Sequence, residues 1–92
     1  MTADRVPVLP RGVRCHHDKV RDANVLLAPE KVLMLDGTGH AILTSVDGNR
    51  SLDGIAAHLA EVYAAPKSAI LGDVIEFLDD LAAQRLIDYA DG

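Results

Sequence analysis

From Val13 to Asp18 the chain alternates with a period of two: Val13, Cys15 and His17 fall on one side, Arg14, His16 and Asp18 on the other. That pattern predicts a half-buried strand over Val13–His17. Asp18–Asn24 is polar and turn-rich, and Val25–Ala28 reads as a short apolar second strand. Pro29-Glu30 makes a tight corner, because proline fixes φ at a value suited to the second position of a turn. Lys31–Leu35 is the third strand. Its apolar residues fall on both faces, so cover on both sides is expected.

Beyond Leu35 the period becomes helical. Either Asp36 or Thr38 supplies the oxygen that accepts an orphan N–H at the start of the next element. The first helix is predicted over His40–Val46, with Gly48 as its left-handed stop. Ser51 caps a second helix over Leu52–Tyr63, which places Leu52, Ile55, Ala56 and Leu59 on one face. Pro66 opens a third helix over Lys67–Leu86, where the missing N–H costs nothing. This helix carries two apolar stripes, Ile70, Val74, Phe77 and Leu81, and Leu71, Ile75, Leu78 and Ala82, rotated by about 100°. Two stripes mean a helix wedged into the core or apolar surface kept for a partner; a wide core-facing stripe accounts for the pattern equally well.

Residues 1–10 contain Pro7 and Pro10, show no period and read as a flexible arm. Residues 11–89 form one domain and residues 90–92 a short tail. Three short antiparallel strands followed by three helices make an α+β, winged-helix-like architecture. No internal repeat or low-complexity tract is present.

Composition narrows the function classes. The chain has 92 residues, enough for a single domain. A domain of this size buries only about 60–65% of its unfolded surface, so its stability margin is thin. It is 49% hydrophobic but holds only three aromatic residues, Tyr63, Phe77 and Tyr89, so the core is aliphatic and platforms for stacking a cofactor are scarce. The single Cys15 excludes an intramolecular disulfide and fits a reducing cytosol. No basic segment precedes a long apolar run, so no signal peptide is expected. The apolar runs fall far short of the roughly 20 residues that cross a bilayer. Residues 1–36 hold six Lys/Arg against five Asp/Glu, whereas residues 37–92 hold three against nine. That acidic helical half opposes nucleic acid.

The candidates for chemistry are weak. In a strand, Cys15 and His17 share a face and His16 points away, which leaves two ligands where a structural zinc site needs four. Nothing local places His40 or His58 beside them. A cysteine nucleophile needs an adjacent base, and His17 two residues along does not establish one. Asp73, Glu76, Asp79 and Asp80 fall mostly on the polar side of the third helix and read as a solvated face. Gly37 and Gly39 follow a strand, but no Walker lysine or third Rossmann glycine accompanies them. The chain is therefore expected not to be an enzyme and to hold no metal or other cofactor. An acyl-carrier reading fails because Arg50-Ser51-Leu52 lacks the aspartate of the carrier motif. A winged-helix DNA-binding regulator matches the shape better. Its recognition helix would offer only Lys67, Gln84 and Arg85 to bases and phosphates, against four acids.

The segments Arg11-Gly12-Val13-Arg14, Leu27-Ala28-Pro29-Glu30, Leu35-Asp36-Gly37-Thr38-Gly39 leading into Ala41-Ile42-Leu43, Asp47-Gly48 and Asp73-Val74-Ile75-Glu76-Phe77-Leu78 occur in that order across Arg11–Ile87. Together they resemble the pyrroloquinoline quinone biosynthesis protein D (PqqD) family. Gly39 replaces the alanine of that pattern, which loosens the first helical turn. The resemblance implies a peptide chaperone in the cytoplasm. Such a chaperone binds the ribosomally made precursor PqqA as an added strand between the third strand and third helix, and presents it to the radical S-adenosylmethionine enzyme PqqE. It implies no bond-making and no iron–sulfur cluster on this domain. It places Val32, Leu33, Met34 and Leu35 on the strand side of the peptide site, and Val74, Phe77, Leu78 and Leu81 on the helix side. A leader-peptide recognition domain for a different modifying enzyme is the neighbouring alternative. An exposed edge strand admits both a monomer and a strand-exchanged dimer.

Overall fold

The computed structural model describes residues 4–90. Its elements are β1 (Val6–Val8), β2 (Arg14–Asp18), β3 (Ala23–Ala28), β4 (Lys31–Leu35), α1 (Gly37–Thr44), α2 (Leu52–Tyr63), α3 (Lys67–Ala83) and β5 (Asp88–Ala90). The architecture is α+β, as the pattern predicts. β2, β3 and β4 form an antiparallel sheet in that order, and β1 and β5 form a separate two-stranded ribbon. Among the described residues no helix is long and apolar enough to cross a membrane.

The three-stranded sheet packs one face against the helices. Leu26 is 1% exposed and belongs to the core, and Cys15, Ala28, Leu33 and Leu35 pack against that core from the same face. On the other face Val25 is buried, whereas Val32 and Met34 are exposed. The expectation that both faces of β4 are covered is therefore corrected: pleating sends alternate side chains to opposite faces, and only one meets the helices.

Asp36 is the cap of α1. Its Oδ1 accepts from the Gly39 N–H at 2.7 Å, so the first turn is tied down although Gly39 has no side chain. The helix ends at Ser45, whose N–H donates to Ile42 O, before Gly48 is reached. Gly48, at φ +81°, instead lies in a turn where Asp47 accepts from Asn49 and Arg50 N–H. Those two bonds hold the Asp47 carboxyl below its ordinary pKa. Ser51 caps α2 through Gly54 N–H at 3.1 Å, and the predicted face Leu52, Ile55, Ala56 and Leu59 is buried.

α3 stops at Ala83, three residues short of the expected Leu86. Leu86 N–H donates to Leu81 O and Arg85 N–H to Ala82 O, the two bonds of a Schellman stop. Arg85 takes the left-handed position at φ 62°. The chain leaves the helix there, buries Leu86 and Ile87, and pairs β5 with β1. The flexible arm expected over residues 1–10 is thus corrected at Val6–Val8, and the tail expected at 90–92 is corrected at Ala90. The rest of that tail and the first three residues of the arm lie outside the described residues. Pro7 has no N–H, so it occupies the register position whose N–H points away from β5, opposite Tyr89.

Candidate functional site

A cleft of about 680 Å³ lies between the outer edge of β4 and α3. Its strand side is Leu33, Met34 and Leu35, its helix side Asp73, Glu76, Phe77 and Asp80. Asp36, Thr38, Gly39 and Ile42 complete it from the start of α1.

The register of β3 and β4 determines what the strand side offers. Ala28 pairs with Lys31 across the two-residue Pro29-Glu30 loop. In such a hairpin the closing pair exchanges both backbone hydrogen bonds, and bonded pairs then recur at every second residue. Ala28–Lys31, Leu26–Leu33 and Asn24–Leu35 are therefore the bonded pairs. The N–H and C=O groups of Val32 and Met34 point away from β3. Among the described residues no further strand lies beyond β4, so these two donors and two acceptors face the cleft edge unpaired by the sheet.

α3 presents Asp73, Glu76, Phe77 and Asp80 at the i, i+3, i+4, i+7 spacing of one helix face. One aromatic ring sits among three carboxylates. Gly39 of α1 lies under that ring: a Cβ there would come within 3.1 Å of Phe77 Cζ, so Phe77 packs on bare backbone. At one end of the cleft Lys31 Nζ donates to Gln84 Oε1 at 3.5 Å, and Gln84 Nε2 donates to Asp80 Oδ2 at 3.2 Å. This chain of two bonds spans from β4 to the end of α3.

The eight residues singled out by sequence divide into three groups. Leu33, Met34, Leu35 and Phe77 line the cleft. Val32 contributes outward backbone groups, while its side chain, 59% exposed, lies on the outer sheet face with that of Met34. Val74, Leu78 and Leu81 are 0%, 0% and 1% exposed and belong to the core. Their expected place on the helix side is corrected: core packing consumes their surface, and α3 is the wedged helix that its two stripes allow. Sequence reasoning missed Gly39 and Ile42, and treated Asp73, Glu76 and Asp80 as merely solvated. Their spacing around Phe77 was the available signal.

The remaining candidates lead elsewhere. His17 is engaged within its own hairpin, 3.0 Å from Asn24 Oδ1 and 3.3 Å from Asp22 Oδ1. Burial pushes the Cys15 thiol pKa up, which disfavours the thiolate that nucleophilic chemistry needs. Among the described residues no group of three or more His, Cys, Asp or Glu is placed to hold a metal ion. The cleft sets backbone groups on one wall against an aromatic ring with acids on the other.

Comparison with known proteins bears on the role of the cleft. The family model for coenzyme PQQ synthesis protein D (PqqD) matches residues 24–87. A PqqA binding protein of Rhizobium meliloti (strain 1021) is 43% identical, over 96% of this chain and 97% of its own. The solution structure of the PqqD part of Methylobacterium extorquens PqqCD superposes with a TM-score of 0.81 at 40% identity, covering 96% of this chain and 93% of that one. It is described as a functional, stand-alone recognition element for ribosomally synthesized and post-translationally modified peptides. The crystal structure of PqqD from Xanthomonas campestris gives a TM-score of 0.60 at 43% identity, covering 94% of this chain and 96% of that one.

Proposed function

The chain belongs to the family of coenzyme PQQ synthesis protein D, and from that premise we propose that it binds the precursor peptide PqqA as an added strand on β4. It then presents the peptide to the radical S-adenosylmethionine enzyme PqqE in pyrroloquinoline quinone biosynthesis. In this reading the chain makes and breaks no bonds itself. It acts in the cytoplasm, where a ribosomally made peptide first appears.

The observation that carries the reading is the unpaired outer edge of β4 facing Phe77 across an open cleft. A peptide laid along it can make four backbone hydrogen bonds to Val32 and Met34, each worth about 0.5–1.5 kcal/mol net. Side chains on one face of that peptide meet Leu33, Leu35 and Phe77. Ordering a flexible peptide consumes part of this gain. The acids of α3 speak against duplex DNA as the ligand, because the face that a recognition helix would turn to phosphate carries Asp73, Glu76 and Asp80.

Met34→Pro tests the mode of binding. The Met34 N–H makes no bond to β3, so proline there removes no bond of the existing sheet, and φ near −65° is tolerated at an edge. Calorimetric titration with synthetic PqqA peptide at two salt concentrations should give saturable, weakly salt-dependent one-to-one binding with a negative heat-capacity change. Met34→Pro should lose at least tenfold in affinity while keeping its circular dichroism spectrum. Wild-type affinity in a folded Met34→Pro variant would remove strand addition at this edge.

A further inference from the structure

We infer that a second, smaller cavity between α1, α2 and α3 is a subsite that takes one aromatic side chain of the bound peptide. This rests on the strand-addition reading and extends it beyond the β4 edge.

The cavity measures about 160 Å³. Its floor is the almost fully buried core side chains Ile42, Leu59 and Val74, and the partly buried Ile70 and the exposed Tyr63 at the end of α2 stand at its sides. Thr38, Ile42 and Asp73 line both this cavity and the β4–α3 cleft, so the two spaces adjoin. The junction lies at the Leu35 end of β4, just past Asp36. A peptide paired along β4 and leaving at that end is carried directly to the cavity mouth.

Size and lining select the occupant. A space of about 150 Å³ is large enough to accommodate a benzene ring, and this one is open on one side and polar at Thr38 and Asp73. The 160 Å³ here matches one six-membered ring and exceeds what a methyl or isopropyl group would fill. Tyr63 is 50% exposed and supplies a ring face or edge to an incoming aromatic group. Asp73 and Thr38 add acceptors at the lip, which suit the O–H of tyrosine or the N–H of tryptophan. The occupant is therefore an aromatic residue of the peptide, lying outside the stretch that pairs with Val32 and Met34.

The test is a double-mutant cycle on binding. Synthetic PqqA peptides in which each aromatic residue in turn is replaced by alanine are titrated against the wild-type protein, Tyr63→Ala and Met34→Pro. One replacement should weaken binding to wild type by more than tenfold and weaken binding to Tyr63→Ala by less than threefold. Ile70→Phe, which fills the cavity from within, should weaken the unmodified peptide by a similar factor. It provides a second readout if Tyr63→Ala fails to give a wild-type melting curve. In amide NMR, p-cresol alone should shift Thr38, Tyr63 and Ile70 saturably. If Met34→Pro abolishes binding while every ring replacement stays within threefold, the subsite is wrong and strand addition stands. Equal losses in wild type and Tyr63→Ala would also overturn the subsite. If Met34→Pro binds like wild type, strand addition fails and the subsite falls with it.

Discussion

Phe77 sits among core residues in the sequence and at a cleft wall in the structure. Its stripe partners Val74 and Leu81 are fully buried, but Phe77 is only partly buried because the start of α1 under it is glycine and the space beyond it is the cleft. Truncating a buried phenylalanine costs about 3–5 kcal/mol. At this half-open position Phe77→Ala should cost only about 1–2 kcal/mol, leaving the domain folded at 25 °C. It should still lose PqqA binding by about tenfold or more, since its ring is the apolar feature of the helix wall. Urea titration and calorimetry on the same sample separate the two effects, and a variant that binds normally would show that the peptide does not reach this wall. Residue identity alone could not separate Phe77 from Val74, because both satisfy the same 3.6-residue period. Arg85 escaped for a related reason. A left-handed stop is normally announced by glycine, and here an arginine holds φ 62°, so the helical pattern runs on in sequence past the point where the helix ends.

At the scale of elements, α2 was legible to the residue, because Ser51 caps it and one clean apolar face runs through it. The β3–β4 hairpin was legible because Pro29-Glu30 sets its turn, and the free β4 edge follows from its register. β5 was not, since three residues with one half-buried side chain carry no period. What fixes β5 is a clasp on its central residue. Tyr89 O–H donates to Asp79 Oδ1 of α3 at 2.7 Å, and the Arg5 guanidinium lies over the ring, 3.7 Å from its centroid. Partial burial, then the hydrogen bond to Asp79 and its charge, push the Tyr89 phenol pKa well above its ordinary value. The folded protein holds this proton more tightly than the unfolded chain, whose tyrosine titrates near 10. The contribution is therefore fully present below about pH 10 and is lost as the pH rises further, because only the unfolded state then gains by ionising. Melting curves from pH 8 to 11 should show wild-type stability falling above about pH 10. Tyr89→Phe should fall less steeply, and at neutral pH should sit about 0.5–1 kcal/mol lower from loss of the exposed hydrogen bond. Parallel alkaline declines in the two proteins would mean that the clasp does not hold the proton.

At the scale of the whole molecule, the least legible feature is that β1 and β5, 80 residues apart in sequence, pair with each other. No local pattern reports a contact between residues 6–8 and 88–90, and the two prolines near the start read as punctuation. Yet the N-terminal segment is tied in at several points. Arg5 O accepts from Leu52 N–H at 2.9 Å, at the first residue of α2. Pro7 is buried and Leu9 packs against the core. A domain this small has little margin to lose such contacts. Removing residues 1–9 exposes β5, leaves the Leu52 N–H without that acceptor and uncovers part of the core. The loss should amount to about 2–4 kcal/mol, or roughly 10–20 °C in melting temperature for a domain of this length. The cleft, by contrast, is built from β4, α1 and α3, none of which pairs with β1. Well below its lowered melting temperature the truncated protein should therefore bind PqqA within about threefold of wild type. A melting temperature unchanged within a few degrees would show that the ribbon contributes nothing. A large loss of affinity in a still-folded truncation would mean that the N-terminal segment itself reaches the peptide, and the site would then have to be redrawn to include it.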